Sequence, residues 1–191
     1  MEHYYQNIQH WFNYEDVFSE AIQKGKDGDL FVEIGTWKGA STSYMGVEIL
    51  NSGKKIKFDA IDCFCGLKAE NDYYTLTEVY DEAINNLKPL TDLNVLTLIK
   101  AYSPEISSNY EDESIFFCFI DGSHEYEHVK KDIQAWYPKV KKGGIIAGHD
   151  FYGINHPGYG KGHVGVFRAV DEEFGHRNVE NRGDCWIFYK N

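Results

Sequence analysis

Residues 31–39 read FVEIGTWKG, a β-branched and aromatic run that meets Glu33 and opens into a loop bearing Gly35 and Gly39. Gly35 allows a tight turn in which the backbone lies close to a ligand, and Gly39 opens a helix whose unpaired N–H groups can meet a carboxylate or phosphate. The pattern is E-x-G-x-x-x-G. A dinucleotide fingerprint, G-x-G-x-x-G, keeps a glycine where the helix must approach a pyrophosphate, and Trp37 with Lys38 would crowd that space. The loop therefore suits a smaller, phosphate-free cofactor and disfavours a nicotinamide dinucleotide.

Around this loop the chain alternates. Strand-like runs at 30–34, 56–62, 94–99, 115–121 and 143–147 are separated by helical stretches at 14–24, 40–50, 76–88, 124–138 and 164–174. Such alternation predicts an α/β fold, a parallel sheet covered by helices on both faces. In the fourth helix Val129, Ile133, Trp136 and Val140 recur every three or four residues as one buried stripe, which assigns them to the core. Near the C-terminus NVENRG followed by DCWIFYK places a turn at Arg182-Gly183-Asp184 between two short extended runs, an antiparallel pair at the sheet edge.

A chain of 191 residues with 42% hydrophobic content suits one domain. Nineteen Lys and Arg against 30 Asp and Glu give a formal charge of −11, a field that repels nucleic acid and anionic membranes. The opening residues MEHYYQNIQHWF lack the basic start and apolar stretch of a secretory leader, so a cytoplasmic location is expected. Cys63, Cys65, Cys118 and Cys185 lack the usual zinc or redox spacing and are read as reduced thiols. The N-terminal segment, residues 1–25, is read as helical, its Tyr4, Tyr5, Trp11 and Phe12 packing on the core, on a neighbouring copy or over the chain's own active site.

The chemistry concentrates where strands end. Asp62 closes the second strand and is placed to accept hydrogen bonds from ribose hydroxyls, a solvated strand-end acid being the plainer alternative. FIDGSHEYEHV at 119–129 and GGIIAGHDF at 143–151 each set an Asp and a His at the carboxyl end of a buried strand. Asp121, His124, His149 and Asp150 should therefore converge above the sheet. Two carboxylates suit magnesium held jointly by protein and substrate, while the imidazoles leave zinc open. His128 is read as a surface residue. The loops 65–75 and 151–163, the latter with His156, His163, Tyr152 and Tyr159, are the expected substrate walls.

Taken together in order, FVEIGTWKGAS, FDAID, FCFIDGSHEYEHV, GGIIAGHDF and GVFRAVDEEF resemble a class I S-adenosylmethionine-dependent methyltransferase. The resemblance is narrower to the branch of cephalosporin hydroxylase-like proteins and metal-dependent macrolide sugar O-methyltransferases. It implies a Rossmann-like three-layer sandwich, with a mostly parallel seven-stranded sheet and an antiparallel C-terminal hairpin. It further implies S-adenosyl-L-methionine as cofactor. Glu33, Gly35, Thr36, Gly39 and Ser41 would hold its methionine portion, Asp62 its ribose and Ser103 the region of its adenine, with Asp121 and Gly122 beside them. Asp121 and Asp150 would ligate Mg²⁺ or another divalent cation, and His124 would be the general base. The sugar enzymes carry an acid where this chain has His149, which here ligates, serves as a second base or hydrogen-bonds the substrate. The expected acceptor is a sugar or glycan hydroxyl, with a catechol-type acceptor as the alternative. A non-catalytic cofactor-binding module in a glycan or natural-product pathway is the alternative from another class. Members of the family often associate, so a homo-oligomer is compatible with this reading.

Overall fold

The computed structural model describes residues 1–65, 76–153, 157 and 163–191. Seven strands form one sheet in the order β3-β2-β1-β4-β5-β7-β6. They are β1 Leu30–Ile34, β2 Lys57–Asp62, β3 Leu96–Lys100, β4 Ile115–Ile120, β5 Val140–Gly148, β6 Glu180–Arg182 and β7 Cys185–Tyr189. The first five pair in parallel, and β7 runs antiparallel to both β5 and β6. The expected edge hairpin is present, closing through Gly183, whose φ of 60° is the left-handed conformation that glycine adopts at least cost.

Sequence dictates the layering. β4, IFFCFI, lies at the sheet centre and is buried along its whole length, the signature of a strand covered on both faces. Its side chains alternate. Phe117 and Phe119 enter a core with Phe18 of α1 (Glu15–Lys24), Met45 of α2 (Ala40–Ser52) and Leu87 of α3 (Leu76–Thr91). Cys118 and Ile120 enter the opposite core with Ile133 and Trp136 of α5 (Tyr126–Trp136) and Val170 of α6 (Val164–Phe174). A short helix, α4 (Ser103–Ile106), follows β3. Val129, Ile133 and Trp136 form the buried stripe of α5, each side chain contributing about 1.5–3 kcal/mol. The fourth predicted member is misplaced: the helix gives way to a 3₁₀ turn at Tyr137–Lys139, which contains Pro138, and Val140, equally buried, begins β5.

Two expectations are corrected. Cys63 and Cys65 are joined as a disulfide, because Phe64 between them takes a φ of 47° and folds the chain back until their Cα atoms lie 5.1 Å apart. Cys118 and Cys185 are free and buried. The N-terminal segment is not helical throughout. After a 3₁₀ turn at Tyr5–Asn7, residues 9–14 cross the carboxyl edge of the sheet without regular structure before α1 begins. Of its aromatics Tyr4 and Tyr5 flank the chain's own core and Phe12 and Tyr14 lie within it, whereas Trp11, expected to pack with them, is exposed. No helix among the described residues is long and apolar enough to cross a membrane. The loop 66–75 and residues 154–156 and 158–162, which include His156 and Tyr159, lie outside the described residues.

Candidate active site

Strand order reverses between β1 and β4, and in open α/β sheets the crevice at such a point receives the ligand. Gly35 and Asp121 meet there. The Asp121 amide donates to the Ile34 carbonyl at 2.7 Å and the Gly35 amide to the Ile61 carbonyl at 2.9 Å, so both residues extend the parallel ladder by one step. Gly35 has a φ of 92°, and a Cβ placed on it would stand 2.0 Å from the Asp121 carbonyl oxygen. Only glycine lets these two chain segments touch. Gly39 is needed for another reason: its Cβ would press against the Leu87 side chain at 2.9 Å, so here glycine admits α3.

Below the loop, Glu33 is fully buried and accepts hydrogen bonds from Ser41 Oγ and Thr42 Oγ1, each at 2.5 Å. Burial raises its carboxyl to about 8 despite those two donors, with Asp121 and Asp62 adding to the rise. The folded chain thus holds a proton on Glu33 that the unfolded chain, ionising near 4.5, releases. Stability from this group is complete below the unfolded value and is lost as pH rises through about 8. Glu33→Gln copies the neutral acid and should give a flatter profile of denaturation midpoint against pH, overtaking the parent chain above about pH 8. A variant that tracked the parent in parallel would show that Glu33 does not carry this dependence.

Asp62 Oδ2 accepts the amides of Thr36 and Trp37, both at 2.9 Å, and Asp62 Oδ1 accepts that of Phe64 at 2.7 Å. The carboxylate therefore shapes the cofactor loop, and lone-pair capacity remains on Oδ1 for a hydroxyl. Trp37 is held with a φ of 44° by this bond. Lys38 is engaged by Glu82 at 2.8 Å and Gln9 at 3.0 Å. Thr36 Oγ1 is buried without a hydrogen-bond partner, and such a group costs about 1–3 kcal/mol until something satisfies it. An orphaned hydroxyl, a bare glycine and a buried acid along one loop fit a small polar cofactor lying across it.

Ser103 is occupied elsewhere. Its hydroxyl donates to Asp132 Oδ1 at 2.6 Å and accepts from Trp136 Nε1 at 2.8 Å, within the α5 core. Ser103→Ala should cost about 1–3 kcal/mol by stranding both partners, and should leave cofactor affinity nearly unchanged. Chemical denaturation and calorimetry would check this; a large affinity loss with intact stability would place the hydroxyl at the adenine instead.

The four residues expected to converge do so. Asp150 follows β5 in the left-handed region, φ 58°, and is buried. His124 Nε2 lies 2.8 Å from Asp150 Oδ2, and His149 Nδ1 lies 3.3 Å from the same oxygen and 3.7 Å from Asp121 Oδ1. Burial opposes charge on Asp150, yet the hydrogen bonds from His124 and His149 outweigh it and hold the carboxyl well below its usual range. Both imidazoles, although burial lowers them, end raised by Asp150 and Asp121. Asp121 is raised, chiefly by burial. His163 Nε2 approaches Asp150 Oδ1 at 3.8 Å, and its ring meets that of His124 edge-on at 4.2 Å. Gly165 makes that meeting feasible, since a Cβ there would stand 2.4 Å from the His124 carbonyl. Ligand atoms of Asp121, His149 and Asp150 lie within 4.8 Å of one another, as do those of His124, Asp150 and His163. Gly122 lies beside Ile34 with room around its Cα, and His128 is half-buried, its Nδ1 3.2 Å from the Ser123 hydroxyl.

Two contributors come from the N-terminal strap and carry no sequence signal. Tyr14, buried against Phe119, donates its hydroxyl to Asp121 Oδ2 at 2.7 Å. Burial and the carboxylates of Asp121 and Glu33 keep that phenol protonated. Asn13 Oδ1 stands 3.1 Å from His149 Nε2. Beside them Trp11, largely exposed, leans on Trp37 with ring centroids 4.6 Å apart.

Residues 32–151 match the family described as a methyltransferase domain, and the chain belongs to that family. Its seven-stranded, mostly parallel sheet with an antiparallel C-terminal hairpin is the Rossmann-like methyltransferase fold. An uncharacterized protein of Acanthamoeba polyphaga mimivirus is 32% identical over 138 residues, 66% of this chain and 53% of that protein. The chain thus spans about half the length of that relative. Among solved structures, the O-methyltransferase NovP superposes with a TM-score of 0.65 at 17% identity, covering 93% of this chain and 79% of that one. MycE, a methyltransferase of the mycinamycin biosynthetic pathway in complex with Mg, SAH and mycinamycin VI, superposes with a TM-score of 0.55 at 16% identity, covering 95% and 49%. These likenesses concern the fold.

Proposed function

We propose that this domain methylates a hydroxyl oxygen of a small polyhydroxylated acceptor, a sugar or glycan, with help from a divalent cation. The observation that carries this reading is the His124–Asp150 pair, 2.8 Å apart at the carboxyl end of β5, with Asp121 and His149 beside it. S-adenosylmethionine supplies an electrophilic methyl group, so the protein has to hold an oxygen nucleophile in line and remove its proton. Glu33, Gly35, Thr36, Gly39 and Ser41 form the bed for the methionine portion and Asp62 faces the ribose. Gly122 and the Asp121 backbone line the crevice beside Gly35. Asp150 orients His124 through Nε2, leaving Nδ1 as the nitrogen that accepts the acceptor's proton, a contribution of about 10²–10⁴-fold. Asp121 and Asp150 would hold the cation, whose chemistry is to lower the pKa of a hydroxyl it touches. Two neighbouring hydroxyls chelating one ion would explain a sugar diol as substrate, and the likeness of the fold to the O-methyltransferase NovP and to MycE, solved with Mg and SAH, supports the reading.

Calorimetry of S-adenosylmethionine, with and without divalent cation, followed by deoxysugars and catechols titrated into the loaded protein, tests the reading. Cofactor binding followed by cation-dependent uptake of sugars supports it; uptake of catechols alone moves the acceptor class, and absence of cofactor binding overturns it.

A further inference from the structure

One ring nitrogen of His149 is committed from outside the site. Asn13 Nδ2 donates to Asp184 Oδ2 at 3.3 Å, so its amide cannot be turned around without setting oxygen against carboxylate. Asn13 Oδ1 must then face His149 Nε2 at 3.1 Å, and an amide oxygen only accepts; Nε2 therefore carries hydrogen. The nitrogen left to face the carboxylates is Nδ1, 3.3 Å from Asp150 Oδ2 and 3.7 Å from Asp121 Oδ1, and a cation bound between them would displace the one proton that Nδ1 shares with Asp150. A ring nitrogen aimed between two carboxylates, with the opposite N–H held by an oxygen acceptor, is the arrangement that orients histidines on metals.

Resting on the metal-assisted reading above, we infer that the cation of this centre is a first-row transition ion of the manganese or zinc type, ligated by His149 Nδ1 with Asp121 and Asp150, and not magnesium. Magnesium demands near-octahedral oxygen coordination and gives up its water reluctantly. An imidazole among the donors moves preference toward borderline ions, and two carboxylates keep manganese among them. The second group, His124, Asp150 and His163, is a poorer centre, because it would consume the imidazole that serves as base and lies nearer solvent.

The test uses the full chain stripped of metal and titrated separately with Mn²⁺ and Mg²⁺ by calorimetry, together with pulsed electron paramagnetic resonance of the Mn²⁺ form. The expected spectrum shows nitrogen directly coordinated to manganese. His149→Gln should lose that signal and at least about tenfold in Mn²⁺ affinity, and Asn13→Ala should weaken Mn²⁺ by roughly tenfold while keeping the signal. His149→Glu, with three carboxylates, should raise Mg²⁺ affinity and narrow the gap between the ions. Because oxygen-only sites also favour manganese somewhat, the spectrum and the His149→Glu exchange decide. A wild-type spectrum without nitrogen, a nitrogen signal that persists in His149→Gln, equal affinity for the two ions, or binding of neither would overturn the inference. S-adenosylhomocysteine binding, measured on the same samples, separates this from the fate of the methyltransferase reading: that reading survives a metal failure if the cofactor binds.

Discussion

An Asp150→Asn chain is expected to fold, to bind S-adenosylmethionine almost as before, and to lose methyl transfer by about 10²–10⁴-fold. The left-handed backbone at position 150, φ 58°, is one that asparagine tolerates better than alanine, so Asn removes the charge without adding strain. What goes is the carboxylate that holds both His124 and His149. On the proposed reading His124 then loses its orienting partner and the cation a ligand, and the two losses act on one step. Turnover at saturating cofactor, divalent-ion titration and cofactor calorimetry on the same preparation would check this. Equal loss of cofactor affinity would mean that Asp150 belongs to the cofactor bed and not to the acceptor side.

Gly35→Ala should be the most damaging single change to the fold itself, costing about 3–5 kcal/mol in chemical denaturation and eliminating cofactor binding. Two penalties coincide there. An L-residue at φ 92° is strained, and its methyl would stand 2.0 Å from the Asp121 carbonyl, a contact that only separation of β1 from the end of β4 can relieve. Separation would pull apart the crevice between the cofactor loop and Asp121. Gly28→Ala is the matching control, since its φ of 88° carries the same strain while a Cβ there meets nothing within 4 Å. Comparable losses at both positions would show that backbone strain, not the close approach, is what Gly35 serves.

How much of this was legible in the sequence depends on the range of the interaction. IFFCFI could be recognised as a central strand because six consecutive apolar residues have few other stable placements. Asp121, His124, His149 and Asp150 could be placed together because a parallel sheet brings the carboxyl ends of its strands to one edge, whatever lies between them in sequence. Tyr14 and Asn13 were not legible: their partners are 107 and 136 residues away, and no local pattern marks a tyrosine or asparagine as reaching a distant acid or imidazole. The Cys63–Cys65 bridge failed for the opposite reason, being so local that it rests on the backbone angle of Phe64 alone. Ser103 lay in the expected region, but its partners Asp132 and Trp136 lie on a helix that sequence order does not connect to it.

The strap at residues 9–14 gives the molecule a dependency that its family match does not contain. Residues 32–151 include every residue proposed for the cofactor, the base and the preferred cation centre, yet Tyr14 and Asn13 lie upstream of them and Asp184, which anchors Asn13, lies downstream. Cutting the chain back to the matched segment would therefore keep the residues written into the site and discard those that aim them. The same geography lets a substitution at residue 13 or 14 retune the centre while every strand end stays as it was.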